Sequence, residues 1–302
     1  MRRGIVLGAL LALGAVSLTV AASQQSAPML EVETLKDNLF VLRGGGGASA
    51  AFVRSDSVVL VDTKVPGFGQ ALMDAVGELT TKPITTLINT HTHFDHVGSN
   101  PDFPTTVQVV THENTAALMH EMNSVTGLSG AARENIFEVS NGVGLATRTF
   151  SERMSLGRGD DRIDLYYFGR GHTRGDAWVV FPALRVMHAG DMFPGKALPI
   201  MDANNGGSGV QYSGTLARAH AAATGIDTII TGHSTTMTPA DLEEYSRFVG
   251  DFAAAVREAK EAGRSVDDVA GSWTIPSAYA GYADPQPERL RAYIQVIYDE
   301  LD

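Results

Sequence analysis

From about Leu30 onward the apolar positions fall in short, β-rich runs with turn residues between them. Runs at 35–42, 49–54 and 58–62 are separated by Gly44-Gly45-Gly46-Gly47 and by Ser55-Asp56-Ser57, a pattern that predicts the strands of a meander. Helical spacing follows at 69–79, an apolar strand at 84–89, and a second helix at 112–122. Further strands are expected at 164–168, 177–181, 184–188 and 228–231, with a helix at 212–223. Two helices close the chain at 239–262 and 287–301, the first opened by Thr238 with Asp241 three residues later, a capping pair. No internal repeat of solenoid period occurs. Strands alternating with helices in this way predict a layered α/β body whose helices cover sheet faces. The stretch 121–149 is glycine-rich, polar and poorly periodic, as expected of a loop or lid beside a site.

The first residues follow a different logic. Arg2-Arg3 precede an apolar run from Ile5 to Val20 and then the small residues Ala21-Ala22-Ser23, the pattern of a signal peptide over 1–23 with cleavage near Ala22 or Ser23. Its 16 apolar or small residues fall short of the roughly 20 that a membrane span requires. No second segment approaches that length, so we expect an exported chain, periplasmic or secreted, with no stable membrane span once the leader is removed.

Composition narrows the chemistry. At 302 residues, 44% hydrophobic and 19% charged, the chain can bury a sizeable core. Its net charge of −11 argues against nucleic acid as a partner, because neutralising phosphates needs clustered Lys and Arg. A small-molecule substrate is the expected partner. The absence of cysteine excludes disulfide scaffolds, thiolate nucleophiles, zinc fingers and lipid attachment through a lipoprotein cysteine. A metal in this chain must be held by nitrogen and oxygen.

Those donors concentrate in Thr90-His91-Thr92-His93-Phe94-Asp95-His96, directly after the apolar run ending Leu87-Ile88-Asn89. Imidazole and carboxylate suit a borderline cation such as zinc, and a turning strand end presents close-spaced side chains in different directions, so one segment can feed two adjacent metals. Other candidates are weaker. The tetraglycine lacks the Lys-Ser/Thr ending of a phosphate loop and reads as a hairpin near the site mouth. A G-x-S-x-G elbow is missing, which disfavours a serine hydrolase. Asn204 and Asn205 offer amide donors for an oxyanion, although Asn-Gly-Gly chiefly spells a turn. Tyr212, Tyr279 and Tyr282 are pocket walls or packing residues, His188 divides between site support and strand packing, and His112, His120 and His220 read as structural or solvated.

The H-x-H-x-D-H segment resembles the signature of the metallo-β-lactamase-fold superfamily, and the resemblance extends over about 30–245. It implies a four-layer αββα sandwich over 30–250, with 251–302 as a C-terminal helical extension packed on the same domain. By the same resemblance His91 and His93 serve a first metal, Asp95 and His96 a second. A third histidine follows as His172 in Gly171-His172-Thr173-Arg174-Gly175-Asp176, a bridging carboxylate as Asp191, and a last histidine as His233. Asp62 in Val61-Asp62-Thr63 becomes a buried acid that orients a ligating histidine rather than a ligand. The implied cofactors are two Zn²⁺ ions, with iron or manganese as alternatives. Two zinc ions sharing Asp191 would hold a water between them and bring its pKa toward neutrality, giving a hydroxide nucleophile, with Asp95 and Asp191 as the catalytic carboxylates. An aspartate where two classes of metallo-β-lactamase place a cysteine makes the site resemble glyoxalase II and the lactonases, which predicts a lactam, lactone or thioester substrate. Two other readings stand beside this one. A persulfide dioxygenase-like oxidoreductase would use one iron and leave Asp95 and His233 superfluous; a non-catalytic binder would tolerate the loss of ligands, of which none is missing.

Overall fold

In the computed structural model, which describes residues 29–128 and 134–302, the strands assemble into two sheets. The first holds β1 (Glu31–Lys36), β2 (Leu39–Arg43), β3 (Ser49–Val53), β4 (Val58–Val61), β5 (Ile84–Ile88), β6 (Gln108–His112) and β7 (Arg148–Phe150) side by side in chain order. Neighbours are antiparallel as far as β4 and parallel from β4 to β7. The second holds β8 (Arg153–Leu156), β9 (Ile163–Tyr166), β10 (Trp178–Phe181), β11 (Val186–His188) and β12 (Thr228–Ile230), again in chain order, with β11 and β12 parallel.

Alternation along each strand then decides the layers. Val59 and Val61 of β4 turn inward with Phe52, Ile88 and Val110 to meet Leu165, Val179, Phe181 and Ile230 of the second sheet, while Val58 and Leu60 turn outward. The outward set packs under α1 (Gly69–Leu79) through Leu72 and Val76, and under α3 (Glu113–Glu121) and α4 (Ile136–Val139) through Met119 and Phe137. On the other side Trp178, Val180, Met187 and Ile229 face α5 (Tyr212–Ala222), α6 (Pro239–Glu261) and α8 (Pro287–Glu300). The result is αββα. Strands buried on both faces have little room for polar residues, which is why β4 and β10 read as unbroken apolar runs. Each fully buried Val, Leu or Phe in these layers contributes about 1.5–3 kcal/mol of transfer free energy.

Most expected elements are present within a residue or two, including the capping box of α6, where Thr238 and Asp241 each bond the other's backbone. Several differ. The single strand expected at 35–42 is a hairpin, β1 and β2 joined at Asp37-Asn38, and a turn dipeptide of that kind was its signal. Residues His112 and Met122, expected as helix ends, are the N-cap and the left-handed C-cap of α3. β6 to β8, α4 and α7 (Val266–Ala270) were not expected; they are three to five residues long, too short for periodicity to register. α6 runs unbroken through residue 250, with Phe248, Val249, Phe252 and Val256 in one core with α8. The leader expected over 1–23 lies outside the described residues, among which no helix is long and apolar enough to cross a membrane.

Candidate metal centre

Parallel strands deliver ligands at their carboxyl ends, and here both sheets do so toward one place. Asp62 follows β4, the segment from His91 to His96 follows β5 and forms the short helix α2 (Phe94–Val97), Asp191 follows β11 and His233 follows β12. His172 arrives on a turn after β9, shaped by Asp176, whose carboxylate accepts from the Thr173 amide (2.8 Å) and hydroxyl (2.7 Å).

All seven expected ligands come together in two groups. His91, His93, His172 and Asp191 offer one donor atom each within 4.8 Å of one another, and Asp95, His96 and His233 form a second such set. Asp191 stands between them: its Oδ2 lies 3.1 Å from His233 Nε2, 3.7 Å from His172 Nε2 and 3.9 Å from His91 Nε2, and its Oδ1 lies 3.3 Å from His96 Nε2. Asp95 Oδ2 is 3.4 Å from His233 Nε2 and 3.8 Å from His96 Nε2.

Four of the histidines have their outward nitrogens engaged. His96 Nδ1 pairs with Asp62 (2.7 Å), and His91 Nδ1 with the Thr90 hydroxyl (3.0 Å), which itself donates to Asp62. His172 Nδ1 meets the Ile200 carbonyl (2.9 Å). His93 is reversed, with Nε2 on Asp202 (2.7 Å) and Nδ1 turned to His172 Nε2, 3.0 Å away. Outer partners of this kind fix the tautomer and point the remaining lone pair inward. The inward atoms His91 Nε2, His96 Nε2 and Asp191 Oδ1 are buried with no hydrogen-bond partner among the described residues. A buried polar atom left unpaired costs about 1–3 kcal/mol; three of them spread over the two groups fit coordination of cations, and a nitrogen and oxygen set fits zinc, iron or manganese.

The electrostatics separate the two groups. Burial opposes charge on His96, yet Asp191, Asp62 and Asp95 together hold its pKa well above the ordinary histidine value. Attraction to Asp191 raises that of His233. In the other group burial and neighbouring imidazoles pull His91 far down and His172 to about 4, so both present neutral lone pairs. Asp191 is pushed up by burial but held well below its usual range by His96 and His233.

The tetraglycine lies against the second group. A Cβ on Gly47 would stand 2.2 Å from His96 Cε1, and one on Gly46, at φ +118°, 2.8 Å from Asp95. Only glycine lets this hairpin approach so closely. Beneath it the buried ammonium of Lys64, lowered by burial to about 7, donates to the carbonyls of Leu42 and Gly47.

A cavity of about 510 Å³ opens over both groups, with His93, Asp95, His172, Asp191 and His233 at its floor and Phe94, Val125, Leu128, Leu198 and Ile200 on its walls. The stretch expected as a loop or lid thus reaches the site through Val125 and Leu128, and Thr126 is anchored to Asp202. Asn204 and Asn205 do not line the cavity; Asn204 bonds the Ser124 carbonyl and Asn205 the Asp202 carboxylate. His188 supports backbone, at Ala48 O and Gly190 N, and Tyr212 holds the Asp191 carbonyl. Asp202, Thr90 and Lys64 were not singled out by sequence reasoning: Asp202 and Lys64 lie outside the ligand motifs, and Thr90, though it opens the histidine segment, is no ligand type.

Fold and site together define a metal-binding αββα protein. The sequence model of the metallo-beta-lactamase superfamily matches residues 43–233, more than half of the chain, and the protein belongs to that superfamily. Over 179 residues it is 29% identical to the 2,4-dinitroanisole O-demethylase subunit alpha of Nocardioides sp. (strain JS1661), covering 58% of this chain and 50% of that one, so the chain spans about half the length of this curated relative. Among solved structures it is similar to a metallo-beta-lactamase from Pontibacter korlensis (TM-score 0.61, 17% identity, 74% of this chain and 99% of that one). The DIM-1 metallo-beta-lactamase is similar too (TM-score 0.59, 17% identity, 74% and 98%).

Proposed function

We propose that the protein is an exported, dinuclear zinc hydrolase acting on a carbonyl or ester-type substrate of the lactam, lactone or thioester class, in the periplasm or outside the cell. The carrying observation is the convergence of seven donors on two adjacent points through Asp191, with His91 Nε2, His96 Nε2 and Asp191 Oδ1 buried and without a hydrogen-bond partner among the described residues. His91, His93 and His172 would hold one metal, Asp95, His96 and His233 the other, and Asp191 both. Metal held there would supply Lewis acidity and a water acidified toward neutral pH. The chain's own residues do the rest. Asp95, with 18% of its side chain exposed, borders the cavity and can accept a proton there. The apolar walls hold the substrate body against the floor and exclude bulk water. A single iron centre would leave Asp95 and His233 without a task, and a non-catalytic binder would tolerate the loss of ligands, whereas all seven donors are present.

Metal analysis of the mature protein, coupled to a panel of lactams, lactones and thioesters, tests this reading. The relative's name adds 2,4-dinitroanisole, an activated aryl methyl ether, to the panel. Two equivalents of zinc and turnover of one panel class are expected; one tight equivalent with full activity, or iron with oxygen consumption, would refute it.

A further inference from the structure

The cavity has two cationic residues on its lining, Lys196 and Arg289, and the fold treats them differently. Lys196 lies 3.1 Å from Glu244 and 3.5 Å from Asp241, and stands 5.7 Å from the centre of the Tyr282 ring. Two carboxylates already neutralise it. Arg289, in the first turn of α8, is exposed and makes no ion pair with any of the described residues. It is not on a loose tether: Leu290, Tyr293, Ile294 and Ile297 of the same helix are buried in the core under the second sheet. Gly127, beside the wall residues Val125 and Leu128, packs so closely on α8 that a Cβ there would meet Ala292 at 3.2 Å. The helix is therefore part of the cavity wall, and it lies beyond residues 43–233 that match the superfamily.

What sets Arg289 apart from the other arginines without an ion pair among the described residues is its place on the cavity lining beside apolar walls. Its planar fork of donors matches the geometry of a carboxylate or sulfonate. We propose that Arg289 recognises a monoanionic oxyanion group on the substrate, remote from the bond that is cleaved, while the apolar walls take up the body between. The substrate class of the proposed hydrolase is thereby narrowed to anion-bearing molecules, and this inference rests on that reading for its link to turnover.

The test uses the metal-loaded protein and a non-reacting pair of nearly equal shape, benzenesulfonate and methyl phenyl sulfone, with binding followed by calorimetry. Wild type should bind benzenesulfonate about tenfold more tightly, the scale of one charge-assisted hydrogen-bonded pair. Arg289→Met should erase the preference, Arg289→Lys should retain part of it, and Lys196→Met should leave it. Equal binding of the two probes, no binding of either, or a preference that survives Arg289→Met or disappears with Lys196→Met would overturn the proposal. The sulfonate preference does not depend on turnover. Its presence with no hydrolysis of any panel compound would sink the hydrolase reading alone; its absence with hydrolysis intact would sink this one alone.

Discussion

A ligating histidine is oriented by the group that holds its other nitrogen, and four of the five histidines of this centre have such a partner. Asp202 is that partner for His93 while accepting from Asn205 Nδ2 (2.6 Å) and from the Thr126 amide and hydroxyl, both at 3.0 Å. Burial raises its pKa, but these donors, His93 first, hold it down at about 2. Removing it frees the His93 ring to turn and to change tautomer. Asp202→Ala is expected to weaken metal binding by the His91, His93 and His172 group about 10- to 100-fold, measured by competition with a chromophoric chelator. Thr126→Val, which keeps the carboxylate on His93, should cost much less, and equal affinities for Asp202→Ala and wild type would refute the orienting role.

Among the elements, the β2–β3 hairpin and α1 use glycine in opposite ways. At Gly47 the missing side chain is what admits His96, so Gly47→Ala should displace the imidazole and empty the Asp95, His96 and His233 group while the other retains its metal. Metal content per chain would decide it; two retained equivalents would show that the hairpin yields. Gly77, inside α1, has open space where a Cβ would go. Gly77→Ala is therefore expected to raise stability by about 0.5–1 kcal/mol through helix propensity, read as a shift in denaturant midpoint with metal content unchanged.

For the molecule as a whole, His188 is a tie between the two sheets. Its Nε2 meets the Ala48 carbonyl at the foot of β3 (3.1 Å), and its Nδ1 accepts from the Gly190 amide (3.1 Å) after β11. A proton on Nδ1 would face that amide, and burial already pulls the pKa to about 4. Between the unfolded value near 6.5 and about 4 the unfolded chain takes up a proton that the folded chain refuses. His188 therefore makes the fold less stable as pH falls through that window, with a slope approaching about 1.4 kcal/mol per pH unit. In chelator-treated protein unfolded by urea from pH 7 to 4.5, His188→Gln should be flatter than wild type by up to that amount. Parallel profiles would mean that His188 is solvated or charged in the fold.

The order of elements and four of the seven donors were legible in the sequence because each of these is a local signal. Apolar runs of fixed period mark strands and helices, and His91, His93, Asp95 and His96 crowd at one strand end. His172, Asp191 and His233 became legible only through a resemblance that supplied their order, since nothing in their own neighbourhoods says that they meet. What tertiary structure alone decided are contacts between residues far apart in the chain: Asp202 on His93, Asp62 on His96, Gly47 against His96, Lys64 beneath the tetraglycine. An aspartate or lysine in isolation has the same sequence signal whether it faces water or holds a ligand. Its role is set by burial and by partners that only the packing of two sheets brings within about 3 Å, and for that reason the chain marks the His91 to His96 donors locally but their orientation, and the cation at Arg289, globally.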